Sequence, residues 1–284
     1  MTHKSEGTKT LYITDLDGTL LNSQGEVSYF TKKTINSLIR KGMYFSFSTA
    51  RGGPSAIKIM SEVKIDLPVV FIQGAAIYDI KKQIYLNVET IDAIYLEEAL
   101  YILKRHDIQC FLFGLKNNKL VLFYEDISSS YLKAIYDHWT NSNNIPFIKV
   151  DNLNKIFDCN IMYLLSKDII SKIKPVFEEI IEITGLTTAF FGGSNSNGIY
   201  NMECLKSGVS KYKSVLYLKK QFGFQKVIGF GDTSNDIPLF EACDEFYVPN
   251  NADDKIKSIA TGIIDSNDDD GVAKFLARHF AKNK

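Results

Sequence analysis

The chain has 284 residues, and its content of 45% hydrophobic and 23% charged residues excludes a wholly disordered protein. Its 33 basic residues equal its 33 acidic residues, so neither nucleic acid nor an anionic membrane is expected to bind by bulk charge. At roughly 150 residues per domain, the length predicts about two domains.

The first third of the chain alternates short apolar strands with helices. Strands are predicted at Leu11–Thr14, Tyr44–Ser48 and Val69–Ile72. Apolar residues at helical spacing predict a helix that ends near Gly42, and these residues are Phe30, Ile35, Leu38 and Ile39. A second helix begins at Pro54, since proline suits a first helical turn. This alternation predicts a doubly wound α/β fold, a mostly parallel sheet with helices on both faces.

The pattern changes near Lys81, where longer and more amphipathic strands begin. Strands are predicted at Cys110–Leu115, Leu120–Tyr124, Cys159–Leu165 and Thr187–Phe191. Helices are predicted at Tyr95–Arg105, Ser128–His138 and Ile169–Ile183. Asn117–Asn118 is typical of a hairpin turn and indicates antiparallel pairing. We therefore predict an inserted α+β domain at 84–197 within a core of 1–83 and 198–284, with Gly192–Gly198 as the hinge where the chain leaves it.

The alternating pattern is predicted to resume near Ile199. Helices follow from Ser210 to Phe222, from Asn235, and from Val272 to Phe280, and strands lie at Lys226–Phe230 and Glu245–Val248. The widely spaced cysteines include no C-x-x-C pair and predict reduced thiols, at Cys110, Cys159, Cys204 and Cys243. The polar start of the chain lacks the apolar run of a signal peptide, and no apolar run is long enough to span a bilayer. We expect a soluble, cytoplasmic protein.

Two carboxylates follow the first strand, in the run Asp15-Leu16-Asp17-Gly18-Thr19. In doubly wound sheets, ligands bind beyond the carboxyl ends of the strands. Carboxylates there are costly in apolar surroundings unless a cation or hydrogen bonds compensate them. A bound divalent ion would do so, and Mg²⁺ prefers oxygen ligands. One aspartate could attack phosphorus while the other gives a proton to the leaving oxygen and takes one from water. The alternative is an ordinary turn, because Asp and Gly favour turns.

A second acidic run, Gly231-Asp232-Thr233-Ser234-Asn235-Asp236, lies between another apolar strand and a helix. Asp232 could complete a metal site, and Asn235 could donate to a phosphate oxygen. A helix cap would explain Ser234 or Asn235 alone. It would not explain why a second acidic cluster ends another strand, so the two acidic runs together predict a functional site.

Two further residues could supply donors to a phosphate group. Thr49 ends the second strand and offers a hydroxyl and a backbone N–H near a helix N-terminus, which favours anions. Lys211 begins a helix, where the helix dipole does not favour a lysine. A solvated lysine is the alternative, but beside the other motifs Lys211 is predicted to bind phosphate.

These motifs resemble those of the haloacid dehalogenase superfamily of phosphohydrolases, specifically its Cof-like subgroup with a large inserted cap, over nearly the whole chain. The resemblance implies that Asp15 is the nucleophile and Asp17 the acid/base. It implies that phosphate is bound by Leu16, Thr49, Ala50, Lys211 and Asn235. It implies that Mg²⁺ is held by Asp15, Asp17, Asp232 and Asp236. Further matches to Cof-like signatures are Gly74-Ala75, Asn251-Ala252 and Asp270-Gly271-Val272, whereas the family usually has Gly at Ala50 and Asn at Gln73.

The implied activity is that of a Mg²⁺-dependent phosphatase that hydrolyses small phosphorylated metabolites through an aspartyl-phosphate. A sugar phosphate is the first expectation for the substrate, and pyridoxal phosphate, flavin mononucleotide and nucleotides are the alternatives. The resemblance implies a subclass B cap that selects the substrate. A monomer or weak homodimer is expected, with no nucleic acid and no membrane as partner.

The competing class is a phospho-receiver or sensor module, which also pairs an acidic Mg²⁺ site with a phosphorylatable aspartate, a Thr and a Lys. Asp17 argues against it, because an acid/base two residues after the nucleophile speeds loss of the phosphoryl group. A dinucleotide fingerprint at Gly229-Phe230-Gly231 is disfavoured because Ser234 takes the third glycine position. The run Asp265–Asp270 lacks the Glu that an EF-hand needs and predicts a solvated acidic turn or part of the rim of the magnesium site.

Overall fold

The computed structural model describes residues 8–142, 145–156, 159–192 and 198–282. Its strands, numbered in chain order, are β1 (Thr10–Thr14), β2 (Tyr44–Phe47), β3 (Val69–Phe71), β4 (Ala76–Asp79), β5 (Ile84–Val88), β6 (Cys110–Lys116), β7 (Lys119–Tyr124), β8 (Phe147–Lys149), β9 (Asn160–Ile169), β10 (Leu186–Phe191), β11 (Ile199–Lys206), β12 (Lys226–Phe230), β13 (Glu245–Pro249) and β14 (Gly262–Ile264). Its helices are α1 (Tyr29–Arg40), α2 (Gly53–Ile59), α3 (Ala93–Arg105), α4 (Ser130–Ser142), α5 (Ile170–Ile180), α6 (Lys211–Phe222), α7 (Ile237–Glu241), α8 (Asp254–Lys257) and α9 (Gly271–Lys282).

The chain divides into two compact units, each with its own sheet and apolar core. The first unit comprises Met1–Gly52, Ala56–Leu86 and Ser210–Lys284. The second unit comprises Gly53–Ser55 and Asn87–Val209. None of the helices in the described ranges is both long enough and apolar enough to cross a membrane.

A five-stranded parallel sheet forms the centre of the first unit, in the order β14-β13-β12-β1-β2. Successive side chains of a strand point to opposite faces. On one face, Ile13 of β1 belongs to the same buried cluster as Val215 of α6 and Leu239 of α7. On the other face, Phe230 of β12 contacts Phe275 of α9, with ring centroids 5.4 Å apart. The predicted parallel sheet with helices on both faces is confirmed.

Local sequence signals set the ends of three helices, α1, α2 and α6. The side chain of Ser28 caps α1 by accepting a hydrogen bond from the backbone N–H of Thr31. Pro54 lies in the first turn of α2, where its missing N–H costs nothing. Gly223 ends α6 with φ 65°, in the left-handed region that glycine adopts without penalty.

The second unit contains a six-stranded sheet in the order β10-β11-β9-β6-β7-β8. Its neighbouring strands pair antiparallel, except for the parallel pair of β7 and β8. Apolar residues of α3 and α5 pack on one face, and Trp139 of α4 packs against Phe113 on the other. Asn117 and Asn118 have φ values of 52° and 59° and form the predicted hairpin turn between β6 and β7.

The structure differs from the sequence prediction in several elements. Five elements were not predicted, namely β4, β5, β8, α8 and β14, and the last of these follows Glu245–Val248, which was predicted as the final strand. β3, β4 and β5 form a separate three-stranded sheet. The alternating pattern does not resume at Ile199, because Ile199–Lys206 pairs antiparallel with β9 and β10. The helix predicted from Asn235 begins at Ile237, after a 3₁₀ turn at Ser234–Asp236. Most of the predicted hinge, residues 193–197, lies outside the described residues.

Candidate active site

The carboxyl ends of β1 and β12 bring the two acidic motifs together. The two strands pair in parallel, with Thr14 opposite Phe230. The backbone N–H of Asp15 extends this ladder by donating to the carbonyl oxygen of Phe230 at 2.8 Å. Asp15 and Asp232 therefore follow neighbouring strands at one edge of the sheet, the edge where doubly wound folds bind ligands.

The ammonium of Lys211 lies between two of the predicted carboxylates. Its Nζ donates to Oδ1 of Asp15 at 2.6 Å and to Oδ1 of Asp236 at 2.7 Å. Lys211 is 1% exposed and Asp236 is 0% exposed, so both charge-assisted hydrogen bonds lie in the protein interior. The start of α6 is itself fixed, because the hydroxyl of Ser214 donates to the carbonyl oxygen of Gly74 at 2.9 Å.

Asp236 is also held by the backbone of its own motif. Its Oδ2 accepts hydrogen bonds from the N–H groups of Asp232 at 3.0 Å and Thr233 at 3.3 Å. Thr233 and Asp236 form a reciprocal capping box around this turn. The helix cap weighed as an alternative is therefore present, and it is built from Asp236 and Thr233 rather than from Ser234 or Asn235.

The turn after β1 passes close to Asp232. Gly18 has φ +74°, and a Cβ atom at this position would lie 2.2 Å from Oδ2 of Asp232. The next residue, Thr19, donates its hydroxyl to Oδ1 of Asp232 at 2.8 Å. Glycine is required here by both its backbone conformation and this contact, and the turn fixes the position of the Asp232 carboxylate.

The cluster carries more negative charge than Lys211 neutralises. Burial is the main reason why the pKa of Asp15 is raised to about 8; Lys211 opposes the shift, and the carboxylates of Asp236 and Asp232 add to it. Burial likewise raises the pKa of Asp232 to about 6, against the hydrogen bond from Thr19. Burial lowers the pKa of Lys211, but Asp15 and Asp236 outweigh it and hold that pKa above its usual value. One ammonium thus faces three carboxylates.

This donor set fits a hard divalent cation. Asp15, Asp232 and Asp236 each offer a carboxylate oxygen, and these atoms lie within 4.8 Å of one another. Oxygen ligands suit Mg²⁺, and a cation would offset the excess negative charge that raises the pKa values of Asp15 and Asp232. Three of the four predicted metal ligands are therefore brought together.

Asp17, the fourth predicted ligand, is not part of this group. Its carboxylate instead accepts two hydrogen bonds from the guanidinium of Arg51, from Nε at 2.7 Å and from Nη2 at 2.6 Å. The side chain of Asp17 is 52% exposed. It therefore lies at a solvent-accessible position.

The predicted phosphate donors differ in whether their N–H or O–H groups already donate to an acceptor within the protein. The backbone N–H of Thr49 donates to the carbonyl oxygen of Val70 at 3.0 Å, so the prediction that this N–H is offered to phosphate is wrong. The Thr49 hydroxyl accepts from the N–H of Arg51 and keeps its own proton to donate. Among the described residues, the N–H groups of Leu16 and Ala50 have no protein acceptor.

Asn235 and the satellite motifs lie around the cluster rather than in it. Asn235 is exposed, and its amide oxygen accepts from the hydroxyl of Thr233. Asn251 donates from Nδ2 to the carbonyl oxygen of Gly18 at 2.8 Å, and so supports the turn after β1. Asp270 accepts a hydrogen bond from the hydroxyl of Thr31 at 2.8 Å. The end of the Asp265–Asp270 run is therefore tied to the start of α1.

The sequence motifs include Arg51 and Thr19 but predict no role for either residue. A signal for Arg51 exists, because β1 and β2 pair in parallel with Thr14 opposite Phe47. Asp17 and Arg51 follow these positions closely and emerge at the same edge of the sheet. Opposite charges at such a place favour a pair. No comparable sequence signal identifies Thr19 as the donor to Asp232.

Comparison with known proteins identifies a family for the chain. Residues 12–276 match the family model of the haloacid dehalogenase-like hydrolases. A Bacillus subtilis relative, 5-amino-6-(5-phospho-D-ribitylamino)uracil phosphatase YitU, is 24% identical to the chain, and the match covers 94% of this chain and 96% of the relative.

Solved structures resemble the chain over nearly its full length. A haloacid dehalogenase-like hydrolase from Bacteroides thetaiotaomicron superposes with a TM-score of 0.79 at 20% identity, covering 95% of this chain and 99% of that one. A Thermotoga maritima protein superposes with a TM-score of 0.79 at 23% identity, covering 94% and 96%. At these identities, the likeness supports the fold.

Proposed function

The chain belongs to the haloacid dehalogenase-like hydrolase family, and on that premise we propose that it is a Mg²⁺-dependent phosphatase of small phosphorylated metabolites that works through an aspartyl-phosphate. Phosphatase activity agrees with the name of the Bacillus subtilis relative. The observation that carries the proposal is the buried cluster of Asp15, Asp232 and Asp236 around Lys211 at the carboxyl edge of the parallel sheet.

In the first half of the proposed reaction, a carboxylate oxygen of Asp15 attacks phosphorus in line. The bond from phosphorus to the leaving oxygen breaks, and Asp17 gives its proton to that oxygen, so an alcohol departs. Lys211 neutralises charge beside Asp15, while the Thr49 hydroxyl and the N–H groups of Leu16 and Ala50 are available to the phosphoryl oxygens. Asn235 is proposed to contact the same group.

In the second half, Asp17 takes a proton from water, and the water oxygen attacks phosphorus. The bond between phosphorus and Asp15 breaks, and inorganic phosphate leaves with the carboxylate restored. Asp15, Asp232 and Asp236 would hold Mg²⁺, with Asp17 as the fourth predicted ligand. The ion, when bound, stabilises negative charge on the transferring phosphoryl group.

The substrate is proposed to be a sugar phosphate, selected by the inserted domain predicted at 84–197. The Bacillus subtilis relative is named for a substrate with a phosphorylated ribityl chain, which supports a polyol phosphate as the class to test first. A cytoplasmic location and a monomer or weak homodimer stay predictions. Reduced thiols likewise stay a prediction for the four cysteines.

Phosphate release from a panel of phosphorylated metabolites tests the proposal. Each substrate is assayed with Mg²⁺, with excess EDTA, and after Mg²⁺ is added back. We expect turnover of at least one sugar phosphate that stops in EDTA and returns with the metal. Full turnover in excess EDTA would remove the metal from the proposal, and a panel without any turnover would remove the phosphatase activity.

A further inference from the structure

The guanidinium of Arg51 donates two parallel hydrogen bonds to the carboxylate of Asp17. Nε donates to Oδ2 at 2.7 Å and Nη2 donates to Oδ1 at 2.6 Å. The two side chains are 30% and 52% exposed. Ion pairs as exposed as this one contribute little to the stability of a fold. The main effect of this pair is therefore on the orientation of the Asp17 carboxylate and not on the stability of the fold.

A two-pronged contact of this kind fixes the plane of a carboxylate, which a single ammonium contact does not. Arg51 can act as a fixed point because its backbone is held at both ends. Its N–H donates to the hydroxyl of Thr49 at 3.1 Å, and its carbonyl oxygen accepts from the N–H of Ile72 at 3.2 Å. The arginine therefore links the orientation of Asp17 to the segment that follows β2.

The arginine uses only part of the hydrogen-bond acceptor capacity of Asp17. An ionised carboxylate has about four lone-pair sites, and the arginine fork uses one on each oxygen. The remaining sites can accept from another donor, such as water or a hydroxyl group, because the Asp17 side chain is 52% exposed. Proton transfer requires the donor within hydrogen-bond reach of its target, so an oriented carboxylate reacts more often than a freely rotating one.

We propose that Arg51 is the positioning residue for Asp17, holding its carboxylate in the orientation from which it serves the leaving group. The inference rests on the proposed role of Asp17 as acid/base. Arg51 then acts through Asp17 and not by its own contact with the substrate. Its removal should matter most where protonation of the leaving group matters most.

A kinetic double-mutant cycle tests this proposal, using Arg51→Met, Asp17→Asn and the double variant. kcat/KM is measured on the best sugar phosphate and on p-nitrophenyl phosphate, whose leaving group needs little protonation. On the sugar phosphate, Arg51→Met should lower kcat/KM by more than tenfold but by less than Asp17→Asn, for which general acid catalysis predicts roughly 10²–10⁴. The loss on p-nitrophenyl phosphate should be much smaller.

In the Asp17→Asn background, adding Arg51→Met should change kcat/KM on the sugar phosphate by less than about twofold, because the two residues act as one unit. Arg51→Lys keeps the positive charge but cannot form the two parallel hydrogen bonds. It should therefore show most of the loss in kcat/KM that Arg51→Met shows. Lys219→Met is the matched control, since the pair of Lys219 and Asp244 is similarly exposed at 30% and 44%. It should leave both substrates unaffected.

Two results would overturn the inference in different ways. If the effects of Arg51→Met and Asp17→Asn multiply, or if Arg51→Lys restores the rate, Arg51 acts on the substrate by itself and only its positioning role fails. If Asp17→Asn shows no loss that depends on the leaving group, the acid role proposed for Asp17 fails and the inference falls with it. Circular dichroism of each variant shows that the fold is intact.

Discussion

Replacing Lys211 by methionine tests how the first unit balances its buried carboxylates. The ammonium is 1% exposed and holds Asp15 at 2.6 Å and Asp236 at 2.7 Å. Methionine fills a similar volume but leaves both carboxylates without their cation. Removing one partner of a buried ion pair costs about 3–5 kcal/mol. We expect a loss of that size in the free energy of unfolding at pH 8 in EDTA.

The loss should shrink as the pH falls. The pKa of Asp15 rises on folding from 3.8 to about 8, and that of Asp232 from 3.8 to about 6. Between pH 3.8 and about 8 for Asp15, and between pH 3.8 and about 6 for Asp232, the folded chain holds a proton that the unfolded chain has released. The free energy of unfolding therefore falls as the pH rises through these ranges. Lys211 lowers the pKa of both Asp15 and Asp232, so without it their pKa values in the folded chain rise further. The free energy of unfolding then falls more steeply as the pH rises. At pH 5 Asp15 and Asp232 are largely protonated, and the variant should be closer to the wild type.

Urea unfolding at pH 5 and pH 8 in EDTA measures both losses. Circular dichroism is the probe, because the single tryptophan, Trp139, lies in the second unit and reports on that unit. Lys219→Met is the control, since it breaks an exposed ion pair worth about 0–1 kcal/mol. Equal losses in the two variants, or a Lys211→Met loss that does not depend on pH, would refute the charge balance described for the cluster.

Three further predictions follow from the same site. Mg²⁺ competes with protons for Asp15 and Asp232, so the rise in Tm on adding Mg²⁺ should be larger at pH 8 than at pH 5; an equal rise would place the ion elsewhere. Gly18→Ala should lower stability and weaken Mg²⁺ binding in a titration, because the added Cβ would meet Asp232. Gly25→Ala is the control, since Gly25 has the same φ of +74° but no atom lies within 4 Å of an added Cβ; it should lower stability by about 1–2 kcal/mol and leave Mg²⁺ binding unchanged. Gln73→Asn should raise the free energy of unfolding by less than about 1 kcal/mol, since Gln73 has φ 54° and asparagine adopts that region more readily; a fall in urea-unfolding experiments would contradict this reasoning.

The parts of the site that the sequence predicts are those that strand ends bring together. Asp15 and Asp232 each follow an apolar strand, and parallel strands present their carboxyl ends at one edge. The strand Lys226–Phe230 was predicted with the bounds that it has in the structure. Lys211 stood out because the helix dipole does not favour a lysine at that position. Each of these signals is local in the sequence.

The parts that the sequence does not predict depend on distant partners. The strand register brings Arg51 near Asp17, but only side-chain geometry shows that both oxygens are engaged. The commitment of the Thr49 N–H to Val70 comes from a neighbouring strand that sequence periodicity cannot pair. β11 follows the segment predicted as a hinge and was read as a return to the alternating pattern, because periodicity does not say which sheet a strand joins.

The central claim is that Asp15 carries the phosphoryl group, and acid-quench labelling tests it most directly. Wild type and Asp17→Asn are incubated with Mg²⁺ and p-nitrophenyl phosphate labelled at phosphorus, quenched in acid, digested and mapped. We predict a labelled peptide containing Asp15, with more label in Asp17→Asn because hydrolysis of the intermediate slows, and neither label nor turnover in Asp15→Asn. Label on another residue, or full turnover by Asp15→Asn, would contradict the account.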